Sequence, residues 1–306
     1  MKKNMDRRSF IKTGALLGAT SIIAAPGILD AAKTPDIAVV EGMDSFASTL
    51  KAVQKIGGMK RFVKKNSKVV VLANAQRNNP GAYTHPEIVR AVIRMCREAG
   101  AAKIHFLSSL PEANWQSTGL KKTISEEQAE LIILGKEENL YRPVAVEKGV
   151  ALKEARIMQA FYDYDVFINM PITKDHAGNK FTGTLKNLMG INWPTNNRSF
   201  HKANWATDPE AIQYLDQCIA DLNTVIRPDL CIVDATEIII TNGPFGPGEI
   251  LTPRKVIAGT DRVAIDAYCC TLWGLDPKQI HTIVLAHKHR IGEMDPKKVK
   301  IKEFKA

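Results

Sequence analysis

The sequence predicts an α/β protein with a mainly parallel β-sheet flanked by helices, in the manner of a Rossmann fold. Apolar runs of strand length, such as Lys68–Ala73 and Val166–Asn169, alternate along the chain with segments of helical periodicity. These runs are apolar almost throughout, which is typical of strands buried on both faces of a parallel sheet. The alternating order predicts right-handed crossovers between neighbouring parallel strands.

The first strand–helix–strand unit has the clearest pattern. A polar loop follows the strand Lys68–Ala73, and a helix is expected over residues 86–99, with Pro86 in its first turn. Thr84 is the expected N-cap of this helix. The next strand is predicted over Lys103–Leu107, so the two strands are expected to be parallel neighbours.

The remaining elements complete one α/β domain over residues 34–306. The alternative is two lobes, about 34–165 and 166–306, with a site between them. The other predicted strands have an apolar or β-branched composition and cover Ile37–Val40, Leu131–Leu134, Arg142–Val146, Asp165–Met170, Leu230–Ala235, Glu237–Thr241 and Lys255–Gly259. The other predicted helices have amphipathic periodicity and cover Ser45–Ile56, Ala151–Tyr162, Thr184–Met189, Pro209–Leu222, Asp261–Trp273 and His281–His289.

Residues 1–32 have the pattern of a twin-arginine export signal. Arg7 and Arg8 precede Ser-Phe-Ile-Lys, and an apolar run over Thr13–Gly27 follows. This pattern predicts the twin-arginine translocase as a partner during export and a periplasmic or extracytoplasmic location. The signal is either cleaved or kept as a tether to the inner membrane, and an N-terminal amphipathic helix is the alternative interpretation.

Composition limits the classes of partner and cofactor. The formal net charge of +10 is compatible with a small anionic molecule as ligand. No nucleic-acid partner is expected, because the chain has no nucleic-acid motif and no run of mixed basic and aromatic residues. The five cysteines have no CxxC spacing, which argues against an iron–sulfur cluster and predicts buried free thiols.

Three polar loops are expected to share one crevice. Asn74–His85, Pro171–Lys186 and Thr236–Glu249 each follow the carboxyl end of a predicted strand. Ligands of open α/β sheets bind outside the carboxyl ends of the strands, so we expect a site where these loops meet. Within the third loop, the Gly- and Pro-rich turn Asn242–Glu249 is either a lid or a tight connection.

The second of these loops, Pro171–Lys186, is called the central loop. Together with the segment that follows it as far as His201, it is dense in groups that bind anions or transfer protons. His176 and His201 are candidates for proton transfer or for metal binding, and Lys186 is a candidate cation, nucleophile or base. Gly178 and Gly183 are expected to let the backbone approach a ligand closely. The backbone N–H groups at the start of the helix after Gly183 are expected to bind an oxyanion.

Other candidates lie around this loop. The first loop adds Arg77, whose guanidinium suits a carboxylate or phosphate, and His85, for which helix capping is favoured over catalysis. Asp266 is expected either to face the site or to pair with a buried group such as Arg262. The three histidines near the C-terminus are interpreted as part of a solvated face, with a metal site as the alternative: His281, His287 and His289.

The motifs of the chain resemble those of domain-of-unknown-function family 362 over residues 66–295. The motifs that agree are KVVVLANAQRNNPGAYTHPEIVRAVIRMCREAGAAKI, DVFINMPITKDH, FTGTLKNLMG and GTDRVAIDAYCCTLWGLDP. The resemblance implies an α/β fold. Some relatives contain a ferredoxin-like cysteine insertion and are iron–sulfur proteins; this chain lacks the insertion, so the cluster is not carried over.

A second similarity is to the nickel-pincer lactate racemase family. His176 and Lys186 are separated by nine residues, as in that family, and His201 follows. The similarity implies that Lys186 holds a nickel-pincer cofactor covalently, that both histidines are metal ligands or proton-transfer groups, and that Arg77 binds a carboxylate. A further catalytic histidine of that family is missing, because Leu107-Ser108-Ser109-Leu110 stands at its position.

Two hypotheses follow for function. The first is an exported enzyme, metal- or cofactor-dependent, that acts on a small carboxylate or other anion with His176, Lys186 and His201 as catalytic residues. The second is a non-catalytic periplasmic anion-binding protein or a subunit of a redox complex. The candidate substrate-binding residues are Arg77, Asn78, Thr84, His85, Lys174, Thr182, Thr184 and Asn187.

Overall fold

An eight-stranded sheet runs through the part of the chain that this computed structural model describes, residues 34–306. The predicted export signal, residues 1–32, lies outside the described residues. The strands, including those of two small hairpins, are β1 (Ile37–Glu41), β2 (Lys68–Ala73), β3 (Lys103–Ser108), β4 (Glu130–Ile133), β5 (Tyr141–Ala145), β6 (Glu154–Met158), β7 (Val166–Met170), β8 (Leu230–Ala235), β9 (Ile238–Ile239), β10 (Ile250–Leu251), β11 (Lys255–Gly259) and β12 (Ile301–Lys305).

The α-helices pack against both faces of this sheet. They are α1 (Ser45–Lys55), α2 (Pro86–Glu98), α3 (Glu112–Ser117), α4 (Leu120–Glu126), α5 (Thr184–Asn187), α6 (Pro194–Phe200), α7 (Pro209–Leu222), α8 (Arg262–Cys270) and α9 (His281–Lys288).

The strand order of the large sheet is β12-β1-β11-β8-β7-β2-β3-β4. β11 is antiparallel to both of its neighbours, and the other adjacent strands are parallel. The predicted fold class, an α/β protein with a mainly parallel sheet flanked by helices, is confirmed. The small hairpins β5–β6 and β9–β10 are antiparallel.

The strand β2 shows why the apolar runs form the centre of the sheet. Val70 and Leu72 belong to the hydrophobic core on one face, and Val69 and Val71 belong to the core on the other face. Side chains of a strand alternate between the two faces, so a run that is apolar at every position is buried on both sides.

The sheet does not divide into the two lobes considered as an alternative. β2 pairs directly with β7, across the expected boundary near residue 165, in a register that joins Val69 to Val166 and Ala73 to Met170. Residues 35–306 form a single compact unit. The predicted site therefore lies at an edge of one sheet rather than between two lobes of the described chain.

The prediction of a helix over Ala151–Tyr162 is wrong. Residues 154–158 form β6, in which the buried Ala155 and Ile157 alternate with more exposed positions. The Asp221 carboxylate accepts hydrogen bonds from three successive backbone N–H groups, those of residues 150–152, at 2.7–2.8 Å. A long-range carboxylate thus holds the preceding turn in a non-helical shape, which the local pattern does not reveal.

Smaller corrections concern the ends of elements. The N-cap of α2 is His85 and not Thr84, because His85 Nδ1 accepts the N–H of Glu87 at 3.2 Å. This agrees with the capping role that was favoured for His85. Of the predicted strand Glu237–Thr241, only Ile238–Ile239 pairs with another strand. β12 was not predicted, because most of its side chains are exposed at the edge of the sheet and its sequence is polar.

Candidate functional site

A cavity of about 640 Å³ lies at the carboxyl ends of β2 and β3. Its walls come from the three loops that were expected to meet, after β2, after β7 and between β9 and β10, and also from the loop after β3. The polar and aromatic residues that line it are Asn74, Gln76, Ser108, Ser109, Lys136, His176, Thr182, Lys186, Asn187, Asn197, Arg198, His201, Trp205 and Phe245.

Three residues predicted to be catalytic, His176, Lys186 and His201, all line this cavity. Trp205 stands between the two histidines, with ring centroids 5.1 Å from His176 and 5.0 Å from His201. Two of the predicted substrate-binding residues, Thr182 and Asn187, also line it. The buried Thr182 hydroxyl has no hydrogen-bond partner in the described residues, so it is available to a ligand.

Both histidines are held in the same tautomer. His176 Nδ1 lies 2.6 Å from the carbonyl oxygen of Ala177, and His201 Nδ1 lies 2.9 Å from that of Asn197. A carbonyl oxygen only accepts, so each Nδ1 bears the proton and each Nε2 keeps a lone pair. Within the described residues, neither Nε2 has a side-chain partner, and each can accept a proton or bind a metal.

Burial keeps the two histidines neutral. It lowers the pKa of His176 to about 2, and the nearby Lys186 cation lowers it further in the same direction. Burial and Lys186 also lower the pKa of His201. A neutral imidazole with a free Nε2 is the form that acts as a general base.

Lys186 is a partly buried cation that lines the cavity. Its Nζ donates to Asn179 Oδ1 at 3.1 Å, and the amide of Asn179 donates in turn to the carboxylate of Asp216. Burial lowers the pKa of Lys186 to about 8, and Asp216 opposes this shift. Lys186 is therefore mainly cationic at neutral pH but close to the point at which it releases its proton.

Lys174 is fully buried behind the cavity and does not line it. Its Nζ donates to the carbonyl oxygen of Ala82 at 2.7 Å, which ties the loop after β7 to the loop after β2. Burial lowers the pKa of Lys174 to about 7, with Lys186 acting in the same direction. The structure places this predicted substrate-binding residue in a bracing position between two loops.

Five other predicted binding residues lie outside the lining of the cavity: Arg77, Asn78, Thr84, His85 and Thr184. The hydroxyl of Thr84 donates to the carbonyl oxygen of Met170 at 2.8 Å and joins the loop after β2 to the end of β7. His85 caps α2. Arg77 and Asn78 are exposed, and the guanidinium of Arg77 lies over the ring of Phe245, 5.1 Å from its centroid. Arg77 thus contacts a wall residue from outside.

The expectation of an oxyanion at the start of α5 is wrong. The buried carboxylate of Asp266 accepts the backbone N–H of Thr184 at 2.6 Å and that of Leu185 at 3.0 Å. Asp266 therefore caps α5 from another part of the chain, which also answers the question of its partner. Thr184 belongs to this cap and not to the lining of the cavity.

Gly178 and Gly183 of the central loop allow other segments of the chain, rather than a ligand, to approach the backbone closely. A Cβ atom at Gly183 would collide with the carboxylate of Asp266, and one at Gly178 would lie 2.7 Å from the backbone oxygen of Trp205. Gly178 also has a φ of +76°, which L side chains rarely adopt.

Several residues of the cavity were not predicted from the sequence. Arg198 lies on α6, whose start is signalled by Pro194 at its first position, but this helix was not predicted. Ser108 ends β3, and Ser109 and Lys136 lie in loops at the same end of the sheet; no motif marked these three residues. Ser108 stands in the segment where the racemase-like pattern lacks its histidine.

The charges of the cavity have one sign. Lys136, Lys186 and Arg198 line it together with the two neutral histidines, and none of the described residues in its lining is an aspartate or glutamate. A cavity with cations and without carboxylates attracts anions. Pro244 and Phe245 of the turn Asn242–Glu249 form part of the wall, and Asn79 Nδ2 donates to the carbonyl oxygen of Phe245 at 2.5 Å.

The C-terminal histidine His289 and the cysteines, which the sequence also brought into consideration, are held by contacts within the protein. His289 is not solvated, since its Nε2 lies 2.8 Å from the Asp221 carboxylate and its side chain is 12% exposed. The five cysteines are buried and free, as predicted. Residues 34–306 contain no cluster of three or more His, Cys, Asp or Glu side chains that could hold a metal ion. In the same residues, no helix is long and apolar enough to span a membrane.

Fold and cavity together define an α/β protein with a cationic cavity at the carboxyl ends of the strands of a mainly parallel sheet. The family described as a domain of unknown function (DUF362) matches residues 62–271. The chain belongs to this family.

Two further comparisons describe what the chain is similar to. It is 28% identical over 259 residues to a thylakoid-associated protein of Synechocystis sp. (strain ATCC 27184 / PCC 6803 / Kazusa), covering 80% of this chain and 74% of that protein. The structure of the lactate racemase apoprotein from Thermoanaerobacterium thermosaccharolyticum aligns with a TM-score of 0.44 at 14% identity. That alignment covers 76% of this chain and 55%, about half, of the racemase chain.

Proposed function

We propose that the chain is an enzyme that binds a small carboxylate in the cavity at the end of β2 and carries out acid–base chemistry on it. One observation supports this most directly: the lining contains Lys136, Lys186 and Arg198 but, in the described residues, no carboxylate. A carboxylate substrate would neutralise the partly buried cation of Lys186, and Thr182 and Asn187 would supply hydrogen bonds.

The two histidines have different roles in proton transfer to and from the bound molecule. The lone pair of Nε2 on His201 takes a proton from the substrate, and the Lys186 cation stabilises the negative charge left behind. His176, whose pKa burial lowers to about 2, is too weak a base for this step and accepts a hydrogen bond from the substrate instead. The proton then resides on the imidazole of His201 until it returns to the substrate or leaves to solvent. Trp205 packs against both rings, tilted to that of His176 and nearly perpendicular to that of His201.

Binding is tested by tryptophan fluorescence with a panel of small mono- and dicarboxylates. Trp205 lines the cavity and reports occupancy, and Trp205→Phe removes that signal as a control. We expect Lys186→Gln to weaken binding by at least about tenfold, the loss of one charge-assisted interaction. Lys180→Gln changes an exposed lysine of the same loop and should leave affinity within about twofold. Equal affinity in both variants would refute the proposal.

Catalysis is tested separately from binding. Carboxylates that bind are incubated with the protein in deuterium oxide, and exchange at carbon is followed by NMR. We expect exchange at carbon in the wild type, and its loss in His201→Gln with affinity retained. Binding without any exchange would instead identify a non-catalytic anion-binding protein.

The nickel-pincer cofactor implied by the second similarity fits the cavity in two respects. The amine of Lys186 lines it and is available for covalent attachment, and the Nε2 of His176 is free to ligate a metal. Bound there, the group would supply an electrophilic metal centre next to the substrate. Intact mass and nickel content of the purified protein test this: added mass that Lys186→Gln abolishes supports the cofactor, and an unmodified, nickel-free protein argues against it.

We also propose that residues 1–32 direct the folded protein across a membrane or tether it there. Arg7 and Arg8 followed by a short apolar run support export by the twin-arginine translocase. The name of the Synechocystis relative, a thylakoid-associated protein, is compatible with a membrane location. Fractionation of cells that express the wild type and the Arg7→Lys/Arg8→Lys variant tests it, since retention of the wild type in the cytoplasm would contradict export.

A further inference from the structure

A second cavity, of about 590 Å³, lies at the ends of the strands that are opposite to the first cavity. Its lining includes residues from just before β8 and just after β11, where Cys231 and Gly259 pair. The first cavity lies at the carboxyl end of β2, which is parallel to β8 through β7, so the two cavities occupy opposite ends of the strands. None of the residues in the proposed active site takes part in this second cavity.

Arg262 is the central feature of the second cavity. It is only 7% exposed, and one terminal nitrogen, Nη2, donates to the carbonyl oxygen of Asn223 at 2.6 Å. Its Nε is buried and has no hydrogen-bond partner in the described residues. The side-chain oxygen of Asn223 is also buried there without a partner, so the hydrogen bonding of this pair is incomplete.

The neighbouring carboxylates do not pair with Arg262. Asp261 uses one carboxylate oxygen for the N–H groups of Val263 and Ala264 and the other for the N–H of Glu293. Asp266 caps α5. In the described residues no carboxylate forms a direct ion pair with the Arg262 guanidinium, and Asp261 and Asp266 act on this buried cation only from a longer distance. Such a group is costly unless something else supplies the negative charge.

Further cations surround this buried group. Lys148, Arg227 and Arg290 are exposed, line the same cavity and form no ion pair within the described part of the chain. Glu147 and Asp261 also line it, so full positive charges outnumber negative ones by four to two when Arg262 is included. His289 belongs to the lining as well, but it is engaged by Asp221.

We infer that this second cavity binds a phosphate monoester, with the phosphoryl group on the guanidinium of Arg262 and within reach of Arg227 and Arg290. The guanidinium groups of Arg227 and Arg290 are exposed, and each presents parallel donors that match phosphate oxygens. A phosphoryl dianion satisfies several cations at once, whereas a carboxylate has two oxygens and a single charge. The cavity is much larger than a phosphate ion, which leaves space for the organic part of the molecule.

Isothermal titration of the purified full-length protein with ribose 5-phosphate tests the inference. We expect one site per chain in the wild type, and a loss of at least about tenfold in affinity in Arg227→Gln/Arg290→Gln, whose changed side chains are exposed and leave the core intact. Arg262→Lys keeps the positive charge but removes the planar set of N–H donors of the guanidinium, so it should also weaken binding. The double variant decides the question if Arg262→Lys does not fold.

Two control variants separate this site from general attraction and from the first cavity. Arg142→Gln changes an exposed arginine that lies over Tyr162, and it should keep affinity within about twofold. Lys186→Gln should do the same, because Lys186 lines only the first cavity. No binding by the wild type, unchanged affinity in the double variant, or a loss in Lys186→Gln would each overturn the inference. A failure here leaves the proposed carboxylate enzyme untouched.

Discussion

At the scale of single residues, Lys186 combines burial with positive charge. Burial lowers its pKa to about 8, so the ammonium that attracts an anion is present below that pH and is lost above it. We therefore predict that the affinity for a carboxylate falls as pH rises through about 8, by up to about tenfold per pH unit. Fluorescence titrations on both sides of this pH measure the effect.

The matched variants define the source of that pH dependence. Lys186→Gln should bind weakly at every pH and show no change near pH 8, whereas Lys180→Gln should keep the wild-type profile. A profile of the same shape in Lys186→Gln would assign the titration to a different group.

The lowered pKa of His176 makes the stability of the fold depend on pH in acid. The unfolded chain takes up a proton on this residue below its ordinary pKa of about 6.5, while burial keeps the folded form neutral down to about 2. The unfolded state thus binds more protons in this window, and stability is lost as pH falls. We predict that His176 contributes a decrease of about 1.4 kcal/mol in the free energy of unfolding per pH unit below 6.5.

Urea denaturation at a series of pH values checks this slope. His176→Gln should reduce the acid slope by the predicted amount, and His281→Gln, a change at an exposed histidine, should leave it unchanged. An identical slope in the wild type and His176→Gln would show that acid unfolding has another origin.

At the scale of elements, α5 depends on a carboxylate that is distant in sequence. Asp266 satisfies the N–H groups of Thr184 and Leu185 in a fully buried place. Asp266→Ala leaves these donors without partners, and we predict a loss of about 2–4 kcal/mol in the free energy of unfolding. Because α5 presents Lys186 to the cavity, carboxylate binding should weaken as well.

A second aspartate provides the control for α5. Asp276 accepts the N–H of Lys278 at an exposed turn, so Asp276→Ala should cost no more than about 1 kcal/mol. Denaturation curves of both variants, recorded together with carboxylate affinity, separate the two cases. Equal losses of stability would contradict the role given to Asp266.

The strand β6 and the start of α5 show where local sequence patterns stop being informative. A short apolar and polar alternation at Ala155 and Ile157 is compatible with either a helix or a strand, and the partner strand β5 together with Asp221 decides between them. Likewise, Gly183 indicates a close approach, but the sequence does not state that the approaching group is Asp266.

At the scale of the molecule, both hydrophobic cores are built on one sheet. Ile93 of α2 belongs to the core on one face, and Ile283 of α9 belongs to the core on the other. Because the two cores share the strands, we predict a single unfolding transition in which tryptophan emission and far-UV circular dichroism change together.

Two core substitutions test this cooperativity. Ile93→Ala and Ile283→Ala should each lower stability by about 2–5 kcal/mol and shift both signals together. A variant that shifts one signal but not the other would indicate that the faces unfold separately, as the two-lobe organisation would have required.

The sequence by itself determined the fold class, because strands buried on both faces must be apolar at every position, as in Lys68–Ala73. It also predicted that the loops after β2 and β7 meet, and it singled out His176, Lys186 and His201 by residue type and spacing. These features are local, or they follow from the direction of parallel strands.

Only the tertiary structure decided which polar groups face a ligand and which serve the fold. Lys174 was predicted to bind substrate and Asp266 was expected either to face the site or to pair with a buried group, yet Asp266 caps α5 and Lys174 braces two loops. Arg198 and Arg262, which were not selected as ligand-binding residues, lie in the two cationic cavities. The physical reason is that hydrogen bonds between distant segments use up donors and acceptors, and those partners are set by packing rather than by neighbours in sequence.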